Sequence, residues 1–475
     1  MLFNIEFAIF LPIVFAIYWM LRKNMKWQNV FLLLVSYVFY AWWAWRFLGL
    51  LLGMSALSWL CGYLISRSQY TSNHIHAKFC MITSIVINVG ILAVFKYYNF
   101  FVGSFADLLG LNDSIHSLKI VLPLGISFFT FQAIAYVVDV YKRKIEPTNL
   151  VDCLLYIGFF PKLLAGPIER PTNLIPQIQK LRVFEYDLAV DGCRQMLWGL
   201  FKKVVIADNA ALYVNQVYGD YANQSGSTLL LAAILYAIQI YGDFSGYSDM
   251  AMGTAKLLGF RFRDNFLFPY FSRNINEFWR RWHISLNTWF VDYVYIPLGG
   301  SRNGKWHTIR NIMIVFLLSG LWHGADWSFV AWGAYHGLLL VVLILLNRNA
   351  KFEHVVAYDR WYPSLKELGQ MVLVFALATF GWMMFRADNM MQFIDYTARM
   401  CSATLLSIPK LQGYTILFMN IILMFVIEWF MRRQRHGMDV SIVRSATARY
   451  AMYGLIFVLI LLFGGHTENF IYMYF

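Results

Sequence analysis

Apolar residues run through this chain in long, uninterrupted stretches separated by short polar clusters. Phe31–Tyr40 and Leu455–Phe463 are typical. Neither alternates at period two, as a barrel strand with one lipid-facing and one inward face would. Continuous apolar runs in a hydrocarbon solvent must satisfy their own backbone, which an α-helix does within one segment. The pattern predicts helices near Phe7–Leu21, Val30–Trp45, Leu50–Ile65, Phe79–Phe95, Ile120–Val140, Met196–Ile206 and Leu229–Tyr241. Further helices are expected near Ile312–Leu321, Trp327–Leu346, Met371–Phe385, Tyr414–Phe430 and Tyr450–Phe463. A span needs about 17 to 25 residues, and several of these fall short, so ten to twelve crossings are expected.

Composition agrees with that solvent. The chain has 475 residues, 59% hydrophobic and 14% charged, too few charges to cover a soluble core of this size. The net charge of +13 resides in short loops: Arg22, Lys23 and Lys26; Lys142, Arg143 and Lys144; Arg348 and Lys351; Arg432, Arg433 and Arg435. Placing these on the cytoplasmic side puts both termini outside, with the loop around Asp113 and the residues after Gly465 outside as well. No basic soluble segment points to nucleic acid. The five cysteines are scattered, without a CxxC pair, which argues against a disulfide framework or zinc site. Arg22 and Lys23 follow the first apolar run, and no small-residue cleavage site succeeds it, so that run reads as a retained span.

Hydropathy fails between Asn149 and Arg310. Leu154–Pro167 is apolar but holds Pro161, Gly166 and Pro167, so it reads as a broken or re-entrant element. Phe260–Arg310 carries eight cations against three anions, a net +5. Irregular backbone at membrane depth is tolerated only inside protein or along a wet cavity, so the working part is expected here, within one membrane domain spanning 1–475 whose catalytic middle is roughly 120–346.

Two histidines stand out. His323 interrupts an apolar stretch in Ser319-Gly-Leu-Trp-His-Gly324, where an ionisable group is costly and by default functional. His283 lies in Glu277-Phe-Trp-Arg-Arg-Trp-His-Ile-Ser-Leu286, a pattern that also suits an interfacial helix. A desolvated imidazole is unprotonated near neutral pH and can remove the proton of an attacking hydroxyl. Arg280, Arg281, Trp282, Ser319 and Trp322 flank the pair as candidate substrate contacts. His336 reads as packing, and His74, His76, His116, His354 and His436 as loop residues. HExxH and GxSxG are absent. Ser407-Ile-Pro-Lys410 is broken by its proline, and Gly299–Lys305 has Trp306 where a phosphate-binding loop needs Ser or Thr. A metal held by His283, His307 and His323 lacks a carboxylate or thiolate partner.

The run Asn276–Leu286, then Asp292-Tyr-Val-Tyr-Ile-Pro-Leu-Gly-Gly-Ser-Arg302, then Ser319–Gly324 resembles the bacterial membrane-bound O-acyltransferase (MBOAT) family. Pro123–Phe128, Phe160–Pro167 and Tyr241–Asp249 extend the resemblance over nearly the whole chain, most closely to the branch that O-acetylates alginate, peptidoglycan and cellulose. The teichoic acid D-alanyl transfer proteins are more distant. The resemblance implies an all-α polytopic fold around a central tunnel, with His323 as signature histidine and His283 as the second. It implies no bound cofactor, acetyl-CoA as a cytoplasmic donor, and an acetyl group passed across a bacterial inner membrane. A separate extracytoplasmic acetyltransferase or acceptor protein is expected, because the chain stops soon after its last span; exopolysaccharide or peptidoglycan would be the final acceptor. The +5 region suits a donor bearing several phosphates. A glycan-precursor transporter is the alternative from another class.

Overall fold

The structure, a computed structural model, describes residues 2–471 except 111–117, 119, 350, 351, 412, 466, 467 and 469, and leaves the side chain of residue 107 undescribed. Asp113, His116 and Lys351 therefore lie outside the described residues. The described residues form helices and no strands, and the apolar segments picked out above fall on helices, except that the first six residues of Ile120–Val140 precede the helix that begins at Ile126.

Contacts divide the chain into two compact units, residues 1–192 with 251–263, and residues 193–250 with 264–475. The first begins with α1 (Ile5–Met20), α2 (Met25–Ala44), α3 (Leu48–Tyr70), α4 (His74–Leu109) and α5 (Ile126–Tyr141). It continues through three short helices, α6 (Leu150–Gly158), α7 (Phe160–Leu163) and α8 (Pro171–Ile178), into α9 (Tyr186–Phe201). The second takes the rest of α9 from Cys193 onward, α10 (Asp208–Gly219), most of α11 (Gly226–Leu257), α12 (Ile275–Arg281), α13 (Ile284–Phe290), α14 (Lys305–His323) and α15 (Trp327–Leu345). It ends with α16 (Leu365–Arg386), α17 (Met390–Met400), α18 (Thr415–Met431) and α19 (Ala446–Phe463).

Six stretches are long and apolar enough to cross a membrane: Met25–Tyr70, His74–Ala106, Gly226–Leu257, Trp327–Leu345, Leu365–Arg386 and Ala446–Phe463. Ile5–Met20, Ile126–Tyr141 and Thr415–Met431 are shorter apolar helices. Their surfaces confirm the solvent. On α1, Phe7, Leu11, Val14 and Tyr18 are buried, while Ile5, Ile9, Ile13 and Ile17 form an exposed stripe at helical spacing. On α19 only Ile456 is buried. Aliphatic stripes of that length are stable against lipid and a liability against water.

Local chemistry sets the ends. Asn24, Asn149, Asn274, Asp326 and Ser445 cap their helices by accepting backbone N–H groups, and Ser364 with Glu367 closes a capping box at α16. The expected break appears: Phe159 is extended (ψ 117°), and α7 restarts with Pro161 in its first turn, where a missing N–H costs nothing.

Each unit buries charge and satisfies it. In the first, Arg182 donates to the Tyr18 hydroxyl (2.8 Å), the Asn29 side chain (2.7 Å) and the Ile178 carbonyl (2.8 Å). In the second, residues 202–207 form a π-helical stretch between α9 and α10. There Lys202 pairs with Asp249 (2.7 Å), and Lys203 lies between Asp208 (2.7 Å) and Asp243 (2.8 Å). Glycines set two close helix crossings: Gly199 meets Gly246, and Gly320 of α14 meets Gly333 of α15.

Candidate active site

His283 and His323 are 40 residues apart in sequence, yet both pack on one indole in the second unit. The His283 ring lies 6.0 Å from Trp322 and the His323 ring 4.8 Å from it, centroid to centroid. Both imidazoles are buried, at 1% and 4% exposure. α14 carries Trp322 and His323 on its last turn and stops at Gly324, whose extended backbone (φ −162°, ψ 157°) leaves the helical path.

His283 sits at a break. α12 ends at Arg281, α13 begins at Ile284, and His283 holds φ 44°, ψ 51° between them. A β-carbon makes left-handed backbone costly, by about 1–3 kcal/mol, so the surroundings must hold it there. Asn265 supplies much of that hold. Its backbone carbonyl accepts the Ile284 N–H (3.0 Å). Its side-chain oxygen meets His283 Nδ1 (3.1 Å), the Ser285 N–H (3.2 Å) and the Ser285 hydroxyl (2.8 Å). Its amide nitrogen donates to the Ser248 hydroxyl (2.9 Å). Phe244 packs edge-on against the imidazole at 4.6 Å. His283 Nε2 is buried without a hydrogen-bond partner among the described residues. Burial pushes the imidazole pKa down to about 3, so the ring is neutral at physiological pH.

His323 lies among rings: Trp332 at 4.9 Å and Phe385 at 5.1 Å, besides Trp322. Ser319, buried, is one turn earlier on the same helix face. His336 lies 4.8 Å from Trp279 and 5.0 Å from Trp332, with no hydrogen-bond partner for either ring nitrogen among the described residues. That is an aromatic packing site.

The other candidates separate. Trp282 is turned into the core, against Trp382 (4.7 Å) and Phe266 (5.1 Å). Arg281 commits its guanidinium to Glu277 (2.9 Å) and the Leu267 carbonyl (3.2 Å), and Arg273 grips the same carboxylate (3.0 Å). Arg281 is thus a brace for α12, with no fork left open for a phosphate. Arg280 is exposed on that helix. His307 is exposed near the start of α14, about 24 Å along the helix from His323; the three histidines considered as a metal set do not converge. His354 is exposed as expected; His74 and His76 are exposed too, but on the first turn of α4 instead of in a loop, and His436, read as a loop residue, is buried. Asn265, Ser248 and Trp332 were missed: Ser248 lies within the Tyr241–Asp249 motif without being singled out in it, and nothing in the local sequence distinguishes Asn265 or Trp332 from ordinary buried residues.

The model of the MBOAT, membrane-bound O-acyltransferase family matches residues 114–361, just over half of the chain and inclusive of both histidines. A probable alginate O-acetylase from Pseudomonas aeruginosa is 36% identical over 391 residues, covering 82% of this chain and 72% of that protein. A peptidoglycan O-acetyltransferase from Helicobacter pylori is 32% identical over 422 residues, covering 82% and 78%. A teichoic acid D-alanyltransferase from Bacillus subtilis is 30% identical over 284 residues, covering 55% and 68%.

Proposed function

Because the chain belongs to the membrane-bound O-acyltransferase family and is a multi-pass membrane acyltransferase, we propose that it moves an acetyl group from acetyl-CoA on the cytoplasmic side toward hydroxyls of a cell-envelope polysaccharide. The observation that carries this reading is the pairing of two buried histidines on Trp322. Family membership sets the transporter alternative aside. Acetyl is favoured over D-alanyl because the acetyl-transferring relatives match a larger share of this chain at higher identity. The final acceptor is an exopolysaccharide or peptidoglycan, reached through a separate extracytoplasmic protein, and the membrane is the bacterial inner membrane with both termini outside.

A sugar or serine hydroxyl is a weak nucleophile at neutral pH. In the proposed step His323 takes the hydroxyl proton as its oxygen attacks the thioester carbon. The C–O bond forms, the C–S bond breaks, and the proton passes to the departing thiolate, so no charge accumulates over the cycle. His283 accepts, through its bare Nε2, a hydrogen bond from a second O–H of the acceptor and so orients the attacking hydroxyl beside it. The rings around His323 exclude water, which would otherwise hydrolyse the donor. Arg280 is the cation placed to meet donor phosphates, and Ser319 and Trp322 line the approach to His323.

The test uses purified protein in lipid nanodiscs with labelled acetyl-CoA and a soluble oligosaccharide or the acceptor protein. Wild type should release free CoA thiol with matching ester formation, and His323→Ala should do neither while keeping its unfolding profile. Thiol release at wild-type rate from folded His323→Ala would refute the assignment. In cells, mass analysis of envelope polymers with and without the gene should show one missing acetyl ester.

A further inference from the structure

Which ring nitrogen of His283 carries the hydrogen is decided by Asn265. An asparagine amide presents an oxygen that only accepts and a nitrogen that only donates. The backbone N–H of Ser285 cannot accept, and it points at the Asn265 side-chain atom that also meets His283 Nδ1. That atom must therefore be the oxygen. The opposite end donates to Ser248, as a nitrogen should. With oxygen fixed toward the ring, the Nδ1 contact is a hydrogen bond only if Nδ1 carries the hydrogen. A neutral imidazole has a single N–H, so Nε2 holds a lone pair.

From this geometry we infer that Asn265 is a positioning residue that locks His283 in the Nδ1–H tautomer, so that its buried Nε2 faces the reaction as a hydrogen-bond acceptor for an O–H or S–H group and never as a donor to a carbonyl oxygen. The inference rests on the proposed acyl transfer, and it specifies which substrate atom His283 meets. The hydroxyl of the acceptor or the thiol of the departing donor fits Nε2; the acyl carbonyl oxygen does not. The same amide spans the break in the chain, since its backbone oxygen holds Ile284 and its side-chain oxygen holds Ser285. One residue thus fixes both the left-handed backbone of His283 and its tautomer. Ser248, on α11, holds the amide from behind.

Three variants test this in the same nanodisc preparation: Asn265→Asp, Asn265→Leu and Ser248→Ala. Asn265→Leu removes the acceptor and frees the tautomer; kcat should drop by about 10²-fold, the usual cost of misplacing a group that orients the substrate, with KM for acetyl-CoA unchanged. Asn265→Asp keeps an oxygen facing Nδ1 and should retain kcat within a few-fold above neutral pH. Its carboxylate favours the imidazolium and raises the His283 pKa. Activity of Asn265→Asp should therefore fall as pH drops, along an acid limb lying at higher pH than in wild type, whose His283 ring is already neutral. Ser248→Ala, which leaves the contact with His283 in place, should lose no more than about tenfold.

Equal loss in folded Asn265→Asp and Asn265→Leu, with no upward shift of the acid limb, would overturn the tautomer lock, and so would wild-type kcat in Asn265→Leu. If Asn265→Leu unfolds, the acid limb of Asn265→Asp decides alone. Failure of the acyl-transfer reading would appear separately, as absent thiol release by the wild-type protein.

Discussion

Gly320→Ala should damage catalysis without touching a catalytic atom. A β-carbon on Gly320 would fall on the carbonyl oxygen of Phe329, well inside the 3.0 Å that real β-carbons keep, with the Gly333 Cα only 3.3 Å away. The obstacle is backbone of α15, so no side chain can swing aside and the two helices must separate. Overpacking of this kind costs about 1–3 kcal/mol. The larger effect is on geometry. His323 is three residues along α14 from Gly320, and its wall residue Trp332 adjoins Gly333 on α15. Spreading this crossing by a sizeable fraction of an ångström moves the imidazole relative to its wall, and a displacement of about 1 Å is worth roughly 10²-fold in rate. The assay is thiol release from acetyl-CoA by purified protein, with thermal unfolding measured in parallel. Gly454→Ala is the control, because a β-carbon there meets nothing within 4 Å and alanine favours the helix. The expected result is about a hundredfold loss for Gly320→Ala and none for Gly454→Ala. Indistinguishable activities would refute the argument that this glycine crossing sets the position of His323.

Other substitutions probe the remaining links. His323→Gln keeps hydrogen bonding but is no base at neutral pH, so it should lose about 10²–10⁴-fold in kcat while still folding, as His323→Ala does. Lys203→Met leaves Asp208 and Asp243 buried without their shared cation, which should cost about 3–5 kcal/mol and show as reduced yield and a lowered unfolding temperature. Arg280→Ala should raise KM for acetyl-CoA at unchanged yield, whereas Arg281→Ala, which strips a partner from buried Glu277, should lower yield at unchanged KM; the reverse split would show that the bracing role was assigned to the wrong arginine. Cysteines introduced at Arg143 and Arg433 should resist an impermeant thiol reagent added outside the cell, and cysteines at Gly110 and Gly465 should react with it.

The solvent of this protein, its helical class and the places where a helix breaks or an ionisable group interrupts an apolar run were legible in the sequence, because each depends on composition over short distances. A run such as Leu455–Phe463 has one stable solution in hydrocarbon, whatever packs beside it. Pro161 and Gly166 interrupt a helix by their own covalent geometry, and a histidine inside an apolar run announces itself by the cost of placing it there. The roles of neighbouring residues were decided elsewhere. Arg280 and Arg281 are equivalent as letters, yet Arg281 pairs with Glu277 on the helix they share while Arg280 is exposed. Trp282 and Trp322 each stand next to a candidate histidine, and packing sends the first into the core and sets the second against both imidazoles. Asn265 carries no local signal at all. It matters because the chain returns eighteen residues later to lay His283 against its side-chain oxygen, and a hydrogen bond between distant segments has no periodicity or spacing by which a linear reading could find it.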